Sequence, residues 1–377
     1  MKGCVATFIL GPVLSAMLVG CASQQYSPLG TPAVSTPIGS APVAEPEIIV
    51  LPHEPAPVIG LDNVDGGPPP ASVSTNVLPT ATAAVFGRGW IPLRAWTDRC
   101  ALGTPGRIVS GGTTTYRVST RNGLCVLTID SRLARWNGMA VWLGFAPQII
   151  RGEPHIHALD AEKTLALLAE IPPAGKTAAR TVVLDPGHGG SDAGTRSAHN
   201  DMEKTYALDW ALRTERLLTN AGWKVFLTRR GDVDVSLTER VAFADRVRAD
   251  LFISLHFNST FPQTQPSGIE TYCLTPAGMP STLVRGYADD ERALFPNNAF
   301  DSSNVQWAFR IHRALLAQTH AHDDGIKRAR FMGVLRYQNR PAVLVEGGFL
   351  SNDQDAANIQ SGAYRESLAQ ALMDALK

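Results

Sequence analysis

The chain has no excess of charge of either sign, and this absence argues against one broad class of partner. Its 34 Lys and Arg residues balance 34 Asp and Glu residues, so the formal net charge at pH 7 is zero. Proteins that bind nucleic acid usually carry a strongly basic patch or stripe. With no strong basic block in the chain, the sequence predicts no nucleic-acid partner, and its 44% hydrophobic content is that of a soluble globular protein.

The apolar stretch at the N-terminus is too short for a membrane-spanning helix. Residues 5–20 are apolar but contain Pro12, whereas a spanning helix needs about 20 apolar residues. With Lys2 ahead of it, the stretch is typical of a signal peptide, which we place at residues 1–20.

Leu18-Val19-Gly20-Cys21 resembles the cleavage motif of bacterial lipoproteins. The resemblance implies cleavage before Cys21 and attachment of lipid to that residue, which would anchor the protein to a membrane. Ala22 resembles an outer-membrane sorting signal, so we expect the protein in the cell envelope, on the outer membrane and facing the periplasm. The alternative is an ordinary secretory signal in which the cysteine is incidental.

Cysteine is scarce, and none of the five residues has a catalytic pattern. Cys4 leaves with the signal peptide and Cys21 is taken by lipid. Export permits a disulfide, and Cys100 with Cys125 is the plausible pair, although two free thiols remain open. Cys273 lies in an alternating apolar run and is expected to be a buried free thiol.

Three segments follow the signal peptide. Residues 21–85 are rich in Pro, Ala, Ser, Thr and Val with few aromatics, so we expect a disordered tether. Residues 86–172 contain short strand-like runs between Gly and Asn turns, which predict a small β-rich accessory domain with a helix at 160–169. Residues 178–377 alternate strands and helices, as in a mostly parallel sheet.

The accessory segment carries two sets of residues with open roles. Its tryptophans are expected in the core or, alternatively, as a platform for sugar: Trp90, Trp96, Trp136 and Trp142. His155 and His157 share one strand face, but no third ligand is evident, so the sequence favours a structural role.

The predicted fold class is α/β, a twisted mostly parallel sheet flanked by helices and preceded by the small β-rich domain. The predicted strands are 181–184, 223–228, 251–255, 269–274, 332–336 and 342–346. The predicted helices are about 202–220, 236–248, 304–319 and 361–376. Ser236 and Glu239 match a capping box at the start of the second of these helices.

Three predicted strands end in a residue suited to metal-dependent hydrolysis. His188 follows VVLDPG, His256 follows LFISL, and Glu346 follows AVLV. Because ligands bind outside the carboxyl ends of strands in open α/β sheets, these residues are expected to meet. Two imidazoles with carboxylates suit Zn²⁺ and leave one position open for water.

Six sequence blocks in order resemble the zinc-dependent N-acetylmuramoyl-L-alanine amidases of bacterial cell walls. The blocks are DPGHGGSDAG, MEKTYAL, SLTER, ADLFISLHFNS, GIETY and VEGGFLSN. The resemblance implies that His188, Glu203 and His256 bind zinc and that Glu346 is the catalytic base. It implies hydrolysis of the amide between N-acetylmuramic acid and L-alanine in peptidoglycan, for wall remodelling or daughter-cell separation.

Other residues of these blocks keep alternatives open. Asp185 and Asp192 either orient His188 or bind loop amides, and Asn258 faces the same side as His256. His199 competes for a ligand position but has no motif match. Arg328, Arg330 and Arg336 either meet carboxylates of a stem peptide or form a solvated face.

The segment 276–303 is longer and more polar than a minimal family member needs. It is open to interpretation as a lid, a substrate-contact loop or a docking segment, and a protein activator remains an open partner. Two other functions compete with the amidase: a non-catalytic peptidoglycan-binding lipoprotein and a peptidoglycan endopeptidase.

Overall fold

The computed structural model describes residues 86–170, 180–284 and 289–377. The predicted signal peptide, the lipidated Cys21 and the tether of residues 21–85 lie outside the described residues. The described residues belong to one compact unit. None of their helices combines the length and the apolar character that crossing a lipid bilayer requires.

The segment before residue 171 is built mainly of short strands. They are β1 (Trp90–Pro92), β2 (Gly106–Ser110), β3 (Thr113–Thr120), β4 (Gly123–Thr128), β5 (Leu133–Trp136), β6 (Met139–Trp142), β7 (Gln148–Ile150) and β8 (Glu153–His157). Helix α1 (Leu93–Arg99) follows β1. A helical run ends the segment, with α2 (Ala158–Asp160), a π-helical turn (Ala161–Leu165) and α3 (Ala166–Ala169).

The later segment alternates strands and helices, as the sequence predicts. Its strands are β9 (Thr181–Pro186), β10 (Lys224–Leu227), β11 (Leu251–Asn258), β12 (Ile269–Leu274), β13 (Asp323–Ala329) and β14 (Ala342–Phe349). Its helices are α4 (Glu203–Asn220), α5 (Leu237–Arg246), α6 (Asp301–Thr319), α7 (Gly333–Arg336), α8 (Asp353–Gln360) and α9 (Gly362–Leu376), with a 3₁₀ turn at Pro296–Phe300.

One sheet contains eleven of these strands, in the order β10-β9-β11-β14-β12-β13-β6-β5-β4-β3-β2. The first six are parallel to their neighbours except where β12 meets β14. Helices cover both faces of this part, which confirms the predicted α/β fold class. Strands β1, β8 and β7 form a separate three-stranded sheet.

Alternation along the strands fills two cores, one on each face of the sheet. Ile253, Leu255 and Val345 belong to the larger core, on the face where α4, α6 and α9 pack. Phe252 and Leu344 belong to the second core, which includes residues of α5 and α7. Successive side chains of a strand point to opposite faces, so strands buried on both faces appear in the sequence as continuous apolar runs.

The accessory segment extends the sheet of the later segment. Val141 of β6 pairs with Ile326 of β13 in parallel register. Arg328 on β13 is 2% exposed and donates to the carbonyl oxygen of Lys163 at 2.8 Å and to Oγ1 of Thr164 at 3.1 Å. The division into residues 86–172 and 178–377 stays a prediction, but the two segments share one sheet and buried polar contacts.

Two local predictions are wrong. Residues 332–336 contain the short helix α7, and the strand beside β12 is Asp323–Ala329 instead. The sequence of this strand, DDGIKRA, contains four charged residues, so no apolar run marked it. The sequence predicted a helix of the accessory segment only at 160–169, but residues 93–99 also form a helix, which buries Leu93 and Trp96 on one side.

The cysteine pair predicted in the accessory segment does not form, and Cys100, Cys125 and Cys273 are free thiols. Helix α1 ends just before Cys100, which is half-buried, whereas Cys125 lies fully buried within β4. Burial raises the pKa of Cys125 to about 12, so it remains an unreactive thiol. Cys273 is buried and free, as predicted.

Replacing Arg328 by Met is expected to lower the free energy of unfolding by about 3 kcal/mol, because buried acceptors lose their donor. Chemical denaturation of the full chain measures the loss. Arg117→Met, which changes an exposed arginine of β3, is the matched control and should shift stability by less than about 0.5 kcal/mol. Equal effects of the two variants would contradict a buried link between the segments.

Candidate metal centre

The three strand ends singled out in the sequence meet at one edge of the sheet. Strands β9, β11 and β14 are parallel neighbours with β11 in the middle. His188 lies just beyond β9, while His256 and Glu346 lie near the ends of their strands and are direct Cα partners. Paired residues of neighbouring strands point to the same face of a sheet, so Glu346 and His256 project to the same side.

Glu203 brings the two histidines together. It is the first residue of α4 and is 3% exposed. Its Oε2 lies 3.1 Å from Nε2 of His188, and its Oε1 lies 2.8 Å from Nδ1 of His256. The three side chains each offer a ligand atom, and these atoms lie within 4.8 Å of one another.

This donor set fits a divalent ion. Two imidazole nitrogens and one carboxylate match the three protein ligands of catalytic zinc sites, which keep a fourth position open. Among the described residues, His188, Glu203 and His256 are the group of His, Cys, Asp and Glu with ligand atoms this close together. The geometry therefore supports the predicted ligand set, and the identity of the ion stays a proposal.

Glycines around the histidines leave room for this approach. A Cβ on Gly187 would lie 2.2 Å from Cε1 of His256, and one on Gly194 would lie 2.5 Å from Oε2 of Glu203. His188 itself has a φ of 60°, in the left-handed region that glycine tolerates best. Glycines are therefore needed after β9, because side chains at these positions would overlap His256 and Glu203.

The pKa shifts at the site keep Glu203 ionised rather than protonated. Burial acts to raise the pKa of Glu203, but hydrogen bonds with His188 and His256 lower it well below its usual range. Burial acts to lower the pKa of His188, and its contacts with Glu203 and Asp192 raise it overall. Glu203 is therefore a carboxylate, the form that binds a metal ion.

Asp192 orients His188, and Asp185 does not. Oδ2 of Asp192 lies 2.7 Å from Nδ1 of His188, so it holds the Nδ1 proton and leaves Nε2 facing Glu203. Such a partner fixes the tautomer of a metal ligand. Asp185 is buried and instead accepts hydrogen bonds from Arg240, Thr228 and Ser254.

Two buried arginines support the loop that carries His188. Arg240 forms a 2.6 Å ion pair with Asp185 and donates to the carbonyl oxygens of Pro186 and His188. Glu239 completes the predicted capping box with Ser236. Arg229, whose role the sequence did not suggest, donates to the carbonyl oxygens of Pro186 and Gly187.

Glu346 is 8% exposed, and a second acid lies beside it. Glu270 on β12 is its Cα partner on the side away from His256 and is 2% exposed. Lys327 and Asn258 both donate to Glu270. Sequence reasoning missed this residue, although it lies in the GIETY block, because an isolated glutamate in an apolar strand has no recognisable partner.

Two of the three arginines before β14, Arg328 and Arg330, are buried, so they neither face substrate nor form a solvated surface. Arg328 lies buried against the accessory segment, and Arg330 is buried with a 2.6 Å ion pair to Asp289. Arg336 is half-buried, and its guanidinium carbon lies 4.9 Å from the ring centre of Tyr337. Both interpretations are wrong for the first two.

The remaining candidates lie away from the centre. His199 is exposed in a turn and does not join the cluster. His157 accepts a hydrogen bond from the Leu159 amide and stacks on Phe145, with ring centres 3.7 Å apart. The four tryptophans of the accessory segment differ in burial. Trp96 and Trp136 lie in the core, whereas Trp90 and Trp142 are half-buried.

A family model described as N-acetylmuramoyl-L-alanine amidase matches residues 182–377. Over 225 residues the chain is 29% identical to N-acetylmuramoyl-L-alanine amidase AmiC of Escherichia coli O6:H1, covering 54% of each protein. It is 33% identical over 194 residues to N-acetylmuramoyl-L-alanine amidase LytC of Bacillus subtilis, covering 52% of this chain and 34% of that protein. The chain thus spans about half or less of these curated relatives.

Among solved structures, N-acetylmuramoyl-L-alanine amidase AmiC2 of Nostoc punctiforme is similar, with 29% identity and a TM-score of 0.44. The match covers 54% of this chain and 97% of that structure. Residues 86–170 lie outside the family match.

Removing one partner of the Asp185–Arg240 pair is expected to destabilise the fold strongly. Arg240→Met should lower the free energy of unfolding by about 3–5 kcal/mol, because it leaves a buried charge unpaired. Arg246→Met, at an exposed position of the same helix, is the control and should cost under about 1 kcal/mol. A double-mutant cycle with Asp185→Asn should give a coupling above about 1 kcal/mol; strict additivity would contradict the buried pair.

Proposed function

The chain belongs to the N-acetylmuramoyl-L-alanine amidase family, and we propose that it hydrolyses the amide bond between N-acetylmuramic acid and L-alanine in peptidoglycan with the help of zinc. The observation that carries this proposal is the cluster of His188, Glu203 and His256, with Glu346 in register beside His256. A hydrolase of this kind needs a metal site and an acid–base group. The cluster offers three ligand atoms, and Glu346 beside it offers a carboxylate.

His188, Glu203 and His256 would hold the ion. When bound, zinc supplies Lewis acidity, which polarises a carbonyl group and makes water a nucleophile at neutral pH. Asp192 fixes the orientation of His188. Glu203 would bind the ion through a carboxylate that is already buried. The chain thus keeps three ligand atoms converged before substrate arrives, which reduces the cost of ordering the site.

Glu346 would act as the general base and then as the general acid. Its carboxylate takes a proton from the attacking water, while the water oxygen bonds to the carbonyl carbon. The carboxyl group then returns the proton to the nitrogen of the leaving L-alanine as the amide bond breaks. Its position beside His256 and its near-complete burial at the edge of the cluster support this role.

We also propose that the protein acts in the cell envelope while anchored by lipid on Cys21, with residues 21–85 as a tether to the outer membrane. The motif at residues 18–21 supports this, and an anchor near the wall suits a polymeric substrate. Wall remodelling or daughter-cell separation is the proposed role, and a protein activator stays a prediction.

Two other functions predict different results. A non-catalytic peptidoglycan-binding lipoprotein would work without Glu346, and an endopeptidase would release termini other than L-alanine. The buried acid beside a three-ligand cluster favours catalysis over binding alone.

Removal of any ligand is expected to abolish zinc binding. The full chain, dialysed against micromolar zinc, should contain about one zinc ion, whereas His188→Ala, Glu203→Gln and His256→Ala should contain close to none. Elemental analysis of the folded proteins measures this. His199→Ala, which removes the exposed histidine of the neighbouring turn, should retain zinc; retained zinc in His188→Ala would defeat the proposed ligand set.

Glu346→Gln is expected to retain zinc and lose turnover. The loss should be at least about 10²–10⁴-fold, the usual contribution of a general base, in dye release from labelled sacculi. Glu153→Gln, at an exposed glutamate of β8, is the matched control and should act as wild type. Sequencing of released amino groups should find new N-terminal L-alanine; other termini would indicate an endopeptidase, and full function of Glu346→Gln would indicate a binding protein.

A further inference from the structure

A row of polar side chains continues from the candidate metal centre across the face of the sheet. Glu346 pairs with His256 on one side and with Glu270 on the other. One strand further, Lys327 is the partner of Tyr272, which lies two residues after Glu270 and so on the same face. The row therefore runs through β11, β14, β12 and β13.

Trp142 ends this row and comes from outside the family match. Ile326 of β13 pairs with Val141 of β6 in parallel register. The following residues, Lys327 and Trp142, therefore point to the face of the row. Nζ of Lys327 lies 5.8 Å from the centre of the indole ring.

A cavity of about 490 Å³ lies over this end of the row. Its lining includes Trp142, Asn258, Glu270, Tyr272, Lys327 and Phe349. A second cavity, lined by His188, His256 and residues of α5, lies on the β9 side of the centre. Glu346 on β14 lies between the two cavities in strand order.

The charged residues of the Trp142 cavity pair with one another, one lysine with two carboxylates. Lys327 donates to Glu270 and, at 2.9 Å, to Asp324. Burial raises the pKa of Glu270, and the contact with Lys327 acts to lower it. Because these charged side chains already bind one another, they are not available to bind an ionic ligand. The uncharged polar groups of the lining are the indole, the Asn258 amide and the hydroxyls of Ser259, Thr260, Tyr272 and Thr282. With the apolar side chains of Pro266, Leu283 and Phe349 beside them, they suit an uncharged ring bearing hydroxyl groups.

The indole of Trp142 is held in a fixed orientation. Its Nε1 donates to the carbonyl oxygen of Asp324 at 3.2 Å. Gly325 permits this packing, since a Cβ there would lie 3.0 Å from the indole ring. An aromatic face carries partial negative charge, so it attracts the C–H groups on the face of a pyranose ring, whose hydroxyls point outward to polar neighbours.

We propose that this cavity is a sugar subsite, in which an N-acetylhexosamine ring of the glycan strand packs against Trp142. The proposal rests on the proposed function, and it assigns the accessory segment a part in substrate binding. It places the glycan on the β6 side of Glu346 and leaves the cavity on the β9 side for other parts of the substrate.

Titration of the full chain with a tetramer of N-acetylglucosamine tests the subsite without any reaction, because this probe has no scissile amide. Calorimetry should give an affinity that falls about tenfold in Trp142→Ala, since truncation of a central aromatic anchor usually costs at least this much. Trp142→Phe, which retains an aromatic face, should lose less. Trp90→Ala is the matched control, because Trp90 is also half-buried in the accessory segment but does not line the cavity.

A second measurement needs no truncated variant. With ¹⁵N-labelled tryptophan, the indole resonance of Trp142 should shift on addition of the tetramer while that of Trp90 stays in place. The subsite is overturned if the tetramer does not bind, if Trp142→Ala binds it as wild type does, or if only a stem peptide beginning with L-alanine shifts the Trp142 resonance. These failures leave dye release by the wild type intact, whereas failure of the proposed function would abolish it.

Discussion

A buried carboxylate between two imidazoles is the interaction on which the candidate centre depends. Glu203 is nearly inaccessible to water and would be costly to bury alone. It contacts His188 and His256 and also accepts hydrogen bonds from the Thr195 and Phe257 amides. Its place at the start of α4 adds the favourable end of the helix dipole. Glu203 thereby connects the start of α4 with His188 after β9 and with His256 on β11.

The surrounding scaffold is organised to keep that cluster in place. Arg229 and Arg240 bind carbonyl oxygens of the loop that carries His188, and Asp185 balances the charge of Arg240. These groups do not face the reaction site, yet they fix the backbone that does. Burying such charges stabilises the fold only when every partner is present, and here the partners come from the DPGHGG and SLTER blocks.

The accessory segment shares one sheet with the later segment. Its strand β6 continues the sheet beyond β13, Arg328 reaches back into its helical run, and Trp142 faces the same cavity as Glu270 and Lys327. Sequence patterns describe segments one at a time, so they indicated two domains. Pairing between Val141 and Ile326 is a contact between distant residues, and no local period records it.

The sequence by itself determined the α/β fold class, most strands and helices from residue 181 onward, and the residues that meet at the strand ends. It could do so because buried strands are apolar and parallel strands share one carboxyl edge. Tertiary structure alone decided that Asp192 rather than Asp185 orients His188, that Cys100 and Cys125 stay apart, and that Glu270 lies beside Glu346. Asp192 is only four residues from His188, and the folded loop decides that its carboxylate reaches the imidazole. The other two outcomes depend on distances between residues far apart in the chain, and those distances exist only after the strands have paired.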